Sequence, residues 1–260
     1  MLTIACLSLS GGQGKTTTAV LLAKSLAQKG YTVLAVDADP QSNLSTFLES
    51  DVGEEMPTLL EVFKGTVAIA DGIYATGIDH LFLIPSDDAL DTVQDYLSSS
   101  GVGAMLLGKR LEAMKTVFDI CLIDSPPQRS QICKSIIGAA HQILIPCEAT
   151  VKGYGSLVRT LDAIKELTEI GVSQAQLLGV IPFRDRWVGN NQTHESRMCI
   201  QEMITEVGKE LVFPSIRESE RYKQAISQGK TLSALGAPEL ESPFETLVQH
   251  LTAIIEDNHE

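Results

Sequence analysis

Eight consecutive residues, Ser10-Gly11-Gly12-Gln13-Gly14-Lys15-Thr16-Thr17, combine glycines, a lysine and hydroxyls in a spacing suited to phosphate. Glycines let successive backbone N–H groups curl around phosphate oxygens. A helix opening at the same place adds its partial positive end. In such a loop Lys15 would bridge the β- and γ-phosphates of a nucleoside triphosphate, and the Thr16 hydroxyl would bind Mg²⁺. The general phosphate-loop pattern asks for a first glycine five residues before Gly14, where this chain has Leu9; the Gly11-Gly12 doublet is a variant of that pattern.

Carboxylates follow apolar runs nearby. TVLAVD leads into Asp37-Ala38-Asp39-Pro40-Gln41, and DICLID ends at Asp124, ahead of Ser125-Pro126-Pro127. A carboxylate at the carboxyl end of a strand can hold Mg²⁺ through water. Thr16, Asp37 and Asp124 are therefore the expected metal set, with Asp37 in a supporting role. Asp39 is the candidate to orient or deprotonate an attacking water. A lone aspartate in such a place is commonly a helix cap or turn former; three of them flanking a phosphate loop favour chemistry.

These residues need a scaffold, and the rest of the sequence supplies one. Short, almost wholly apolar runs (LTIACLSL, TVLAVD, HLFLIP, DICLID, QILIPC, LLGVIPF) alternate with amphipathic stretches. Strands apolar on both faces point to a mostly parallel sheet flanked by helices. Helices are predicted over Lys15–Lys29, Asp88–Leu97, Ala104–Val117, Ser130–Ala140, Gly155–Ile170 and Thr193–Val207. Pro57–Gly65 and Gly72–Gly77 read as an irregular acidic insertion. No repeat or linker divides the chain, so residues 1–260 are expected to form one α/β domain with every ligand loop at the carboxyl edge of its sheet.

Composition sets bounds. The chain has 260 residues, 44% of them hydrophobic and 20% charged. That is enough apolar mass for a core and argues against disorder. No apolar run reaches the ~18 residues needed to span a bilayer, and the apolar start lacks a basic flank, so a cytoplasmic protein is expected. The five cysteines are scattered without a CxxC and read as reduced core thiols. The five histidines show no metal spacing. The net charge of −13 argues weakly against nucleic acid, but the acid is concentrated: Glu49–Asp95 carries −10 and Glu239–Glu260 carries −6, leaving +3 elsewhere. A locally basic face is therefore allowed. The stretch 209–230 holds Lys209, Arg217, Arg221, Lys223 and Lys230 against three acids. It reads either as a phosphate-contacting patch or as a solvated helix with internal ion pairs.

GGQGKTT, VDADPQSN and LIDSPP, with SLVRTLDAI further on, resemble the ParA/MinD family of deviant Walker ATPases, clearly over about residues 1–185. The resemblance implies an ATP- and Mg²⁺-binding homodimer that sandwiches two nucleotides and hydrolyses them slowly. It also implies nonspecific DNA binding through the C-terminal basic residues, nucleoid association, and a cargo-borne adaptor of the McdB or ParB type that stimulates turnover. In the family a signature lysine precedes the glycine doublet and reaches the other subunit's nucleotide; here that position is Ser10. Lys152, just past QILIPC on the expected ligand edge, is the candidate replacement in trans; the alternative is a solvated surface lysine. A missing signature lysine with a downstream substitute is similar to the carboxysome-positioning branch of the family. The family's base-binding loop maps to Pro182-Phe183-Arg184, with 213–217 as a second candidate; Phe183 and Phe213 could equally close the core.

Other readings remain. A MinD-like membrane ATPase needs a basic amphipathic C-terminus, whereas residues 242–256 carry no Lys or Arg, so no membrane association is expected. A plasmid or chromosome partition ATPase shares the same chemistry, and a metabolic phosphate-loop enzyme would require a small organic substrate.

Overall fold

Alternation along the apolar runs decides which side chains meet on each face of the sheet. In the computed structural model, which describes residues 1–48, 53 and 55–257, the strands are β1 (Leu2–Cys6), β2 (Val33–Asp37), β3 (Tyr74–Ala75), β4 (Leu81–Ile84), β5 (Ile120–Asp124), β6 (Gln142–Glu148), β7 (Gln176–Asp185), β8 (Trp187–Val188), β9 (Asn191–Gln192) and β10 (Ile216–Arg217). The helices are α1 (Lys15–Gln28), α2 (Asn43–Phe47), α3 (Leu59–Lys64), α4 (Val93–Ser99), α5 (Gly103–Leu111), α6 (Gln131–Ala139), α7 (Val151–Glu169), α8 (His194–Val207), α9 (Glu220–Ser227) and α10 (Ser242–Asp257).

Eight strands form one sheet in the order β10-β7-β6-β1-β5-β2-β4-β3, and β8 pairs with β9 as a separate small ribbon. Within the sheet every pairing is parallel except that of β3 with β4. Both outermost strands, β3 and β10, are two residues long. Residues on alternate faces enter different cores, as the period of two requires. Ala5, Leu34, Val36, Cys121 and Ile123 pack under α3–α8. Ile4, Cys6, Val33, Ala35, Ile120 and Leu122 pack under α1, α2, α9 and α10. The expected doubly covered α/β sheet is thus observed. All five cysteines are buried free thiols.

The apolar side of α10 (Phe244, Leu247, Leu251) lies in the core. Among the described residues no helix is long and apolar enough to cross a membrane.

Several predicted boundaries are corrected. The segment 57–65 is not irregular: Thr58 and Glu61 form a reciprocal capping box that starts α3, and Gly65 ends it in the left-handed region. Within 72–77 lies the edge strand β3. The helix expected over 88–97 is a 3₁₀ turn at Asp88–Thr92 followed by α4. The one expected over 104–117 ends as α5 at Leu111, followed by a 3₁₀ turn. Helix α7 begins at Val151, four residues before the predicted start, capped by the Thr150 hydroxyl accepting from the Gly153 N–H. Parts of the two acidic stretches, residues 49–52, 54 and 258–260 with His259 among them, lie outside the described residues.

Candidate functional site

Central strand β1 has β5 on one side and β6 on the other. The chain therefore leaves β1 at a topological switch point, where the loops beyond the carboxyl ends of β1, β2, β5, β6 and β7 converge. The loop after β1 carries residues 10–17, and α1 opens at Lys15. Gly14 occupies the N-cap with φ +88°, and a Cβ there would stand 2.5 Å from the Phe183 ring. Only glycine meets both conditions.

Gln13, a position the phosphate-loop pattern leaves open, is wholly buried. Its amide accepts the Glu148 N–H at 2.9 Å and donates to the Gly11 carbonyl at 3.4 Å. The loop is thereby tied to the end of β6. Nothing in the sequence marked either partner.

Lys15 is buried, and its ammonium donates to the Ser10 carbonyl at 3.2 Å. Burial lowers its pKa, opposed by the carboxylates of Asp124 and Asp39. Asp124 is fully buried at the end of β5, and neither carboxylate oxygen has a hydrogen-bond partner. Burial first, then the neighbouring Asp37 carboxylate, push its pKa up to about 8; Thr16 and Lys15 pull the other way, without a hydrogen bond of normal geometry. An unpaired buried carboxylate is costly, and this one lies beside Lys15 and Thr16.

Asp37 lies directly across the strand pair from Asp124. Its oxygens are already engaged, accepting from the Ser45 N–H (2.8 Å), the Ser45 hydroxyl (2.7 Å) and the Asp39 N–H (3.2 Å). Burial still raises its pKa to about 6. Asp37 thus anchors the start of α2 and the loop that carries Asp39. The Asp39 carboxylate is buried, accepts the Gln41 N–H at 3.0 Å and keeps its second oxygen open. Its pKa is raised by burial, with the Asp91 carboxylate adding to the effect and Lys15 opposing it.

On the other flank, Lys152 is exposed on the first turn of α7. Gly153 lets that turn touch the β6 end, since a Cβ there would fall 1.9 Å from the Glu148 carbonyl. Pro182 and Phe183 are buried at the end of β7, the Phe183 ring lying on Gly14. Arg184 adopts φ +51°, holds its guanidinium 5.5 Å from the Phe183 ring centroid and pairs with Glu148 at 3.4 Å. Within the second base-binding candidate, 213–217, Phe213 is half-buried, packs edge-on against His250 and lies against Gly179 of β7.

The basic residues of 209–230 are all exposed, but they do not act alike. Arg217 stacks over the Trp187 ring at 4.2 Å and Lys223 pairs with Glu220 at 3.0 Å, while Lys209, Arg221 and Lys230 have no ion pair among the described residues. Among the described residues no group of three or more His, Cys, Asp or Glu side chains could hold a metal; a cation here would rely on Thr16, Asp124 and phosphate oxygens.

A parallel sheet with this loop at its switch point is the architecture of ParA/MinD-like P-loop NTPases, and residues 1–173 match the AAA domain family. Over 251 residues the chain is 51% identical to maintenance of carboxysome distribution protein A (McdA) of Synechococcus elongatus, covering 96% of this chain and 99% of that protein. Over 252 residues it is 52% identical to the same-named protein of Gloeothece citriformis, covering 96% and 97%. An ATP complex of a point variant of Cyanothece McdA, 51% identical, matches with a TM-score of 0.94 over 97% of this chain and 96% of that one. The chain belongs to the McdA family within the ParA/MinD-like group.

Proposed function

We propose that residues 1–260 form one Mg²⁺-dependent ATPase that distributes carboxysomes. It clasps two ATP molecules between two copies of itself, holds nonspecific DNA of the nucleoid in the cytoplasm, and turns over when an adaptor on the cargo engages it. The observation that carries the reading is Asp124: a buried carboxylate without partners, facing the amine of Lys15 and the hydroxyl of Thr16. Such a group fits Mg²⁺ held through water, with Thr16 as direct ligand and Asp37 bracing the frame. The cation, when bound, neutralises phosphate charge.

The chain's own residues do the rest. The N–H groups of Gly11–Thr17 wrap the phosphates. Lys15 leaves the Ser10 carbonyl to bridge the terminal phosphates. Asp39, with one oxygen pinned by Gln41 and one open, orients the attacking water. Its raised pKa suits it to take a proton. Pro182, Phe183 and Arg184 border the base. Lys152, exposed beside the loop, reaches the partner copy's nucleotide and offsets the repulsion between two facing polyphosphates. DNA contacts come from Lys209, Arg221 and Lys230, with Lys223 and Arg217 at their margin; a dimer doubles the phosphate contacts.

The test is binding to random-sequence duplex DNA with and without ATP, alongside anionic vesicles. Wild type should bind DNA only with ATP and release it in salt, and should ignore vesicles. Lys15→Ala should lose the nucleotide dependence, and Asp39→Ala should stay on DNA because it cannot hydrolyse. ATP turnover by Asp39→Ala at the wild-type rate, or vesicle binding in place of DNA binding, refutes the reading.

A further inference from the structure

Helix α7 is fastened to the connection between β1 and the glycine loop at three successive residues. The hydroxyls of Ser8 and Ser156 lie 3.1 Å apart, the Leu9 N–H donates to Thr160 Oγ1 at 3.2 Å, and a guanidinium nitrogen of Arg159 donates to Ser10 Oγ at 3.2 Å. Ser156 and Thr160 are buried, as expected for a packing seam, whereas Arg159 is exposed. No carboxylate pairs with Arg159 among the described residues. Ser10 is therefore gripped from both sides: its hydroxyl by Arg159, and its carbonyl by the ammonium of Lys15.

A hydroxyl needs no guanidinium to satisfy it, because water would serve. What the arginine adds at this point is charge and a fixed direction. The glycine loop contributes a single cation of its own, Lys15, and a triphosphate brings several negative charges. Lys152 lies seven residues before Arg159 on α7, close to two helical turns, so the two exposed cations share a face beside the loop.

We propose that Arg159 is a positioning residue for the nucleotide: it fixes Ser10, and with it the resting perch of Lys15, and it delivers to the loop's entrance a positive charge that residue 10 does not carry. The inference rests on the triphosphate reading above and extends it to a residue of the same copy, distinct from the cross-subunit role of Lys152.

The experiment is ATP affinity of the full chain by equilibrium fluorescence with a labelled ATP analogue, at low and high salt, with thermal melting to confirm folding. Arg159→Ala should bind roughly five- to tenfold more weakly at low salt, and the deficit should shrink as screening increases. Arg159→Lys should retain most of the affinity and Arg159→Gln should not. A merely structural clamp would be neither restored by lysine nor weakened in its effect by salt. Arg159→Ala within twofold of wild type, a deficit unchanged at high salt, or full affinity in Arg159→Gln overturns the proposal. Lys15→Ala separates the two levels. If it binds like wild type, the triphosphate reading itself fails; if it loses binding while Arg159→Ala does not, only the present inference fails.

Discussion

Replacing Asp124 with asparagine should stabilise the nucleotide-free protein at alkaline pH and, on the function proposed above, cost it Mg²⁺-dependent nucleotide binding. The carboxyl is buried, has no hydrogen-bond partner and has its pKa raised from 3.8 to about 8. An acid with a raised folded value binds more protons in the folded state than in the unfolded state between those two values. Stability therefore falls as pH climbs through that window and reaches its full deficit above it. A shift of about four units sets a ceiling near 6 kcal/mol. The nearby Lys15 ammonium shares the charge and the asparagine amide is itself imperfectly satisfied, so we expect a net gain of about 2 kcal/mol at pH 8.5. For a chain of this size that raises Tm by about 4–8 °C. Circular dichroism melts of both proteins without nucleotide, at pH 4.5 and pH 8.5, read the effect. The two should melt together at the lower pH and separate at the higher one. A variant that melts at or below wild type at pH 8.5 refutes the argument that Asp124 is a strained, waiting carboxylate.

Lys152→Ala should abolish ATP-dependent dimerisation in sedimentation velocity, with the monomer's melt unchanged because the side chain is exposed; an intact ATP-dependent dimer contradicts the cross-subunit role. Gly14→Ala should lower stability by about 1–2 kcal/mol, from its positive φ and the clash with Phe183, and should eliminate nucleotide binding measured by the same labelled analogue. Thr58→Ala should remove the capping box of α3 and about 1 kcal/mol of stability, seen as a Tm lower by about 2–4 °C, with ATP affinity untouched.

The sheet and the loop were legible because each leaves a local mark. Runs such as VLAVD and ICLID can satisfy both faces only in the interior of a parallel sheet, and glycines before a Lys-Thr pair make sense only at a helix opening. What escaped was held by contacts distant in sequence or masked by punctuation residues. The capping box Thr58-x-x-Glu61 was present in the sequence, but Pro57 and Gly65 on either side suggested irregular chain. The start expected at Gly155 missed the first turn of α7, where Gly153 lets the helix touch the β6 end. The charged stretch that holds α9 read either as a basic patch or as a solvated helix, and neither reading marked the core face that Tyr222, Ala225 and Ile226 give it. The grip of Gln13 on Glu148 spans 135 positions and that of Arg159 on Ser10 spans 149, beyond any local pattern. The roles expected of Asp37, Asp39 and Asp124 came from their places after the apolar runs; what needed coordinates was which of their oxygens are already occupied.

The brevity of β3 and β10 bears on how copies of this chain can associate. A long bare border would invite another chain to extend the sheet by main-chain pairing, and such growth has no natural end. Two-residue margins offer too few free N–H and C=O groups for that, and β3 runs against its neighbour. On the reading proposed above, contact between copies is left to the loop face, where a two-fold arrangement closes on itself, so assembly stops at a pair that ATP hydrolysis can take apart.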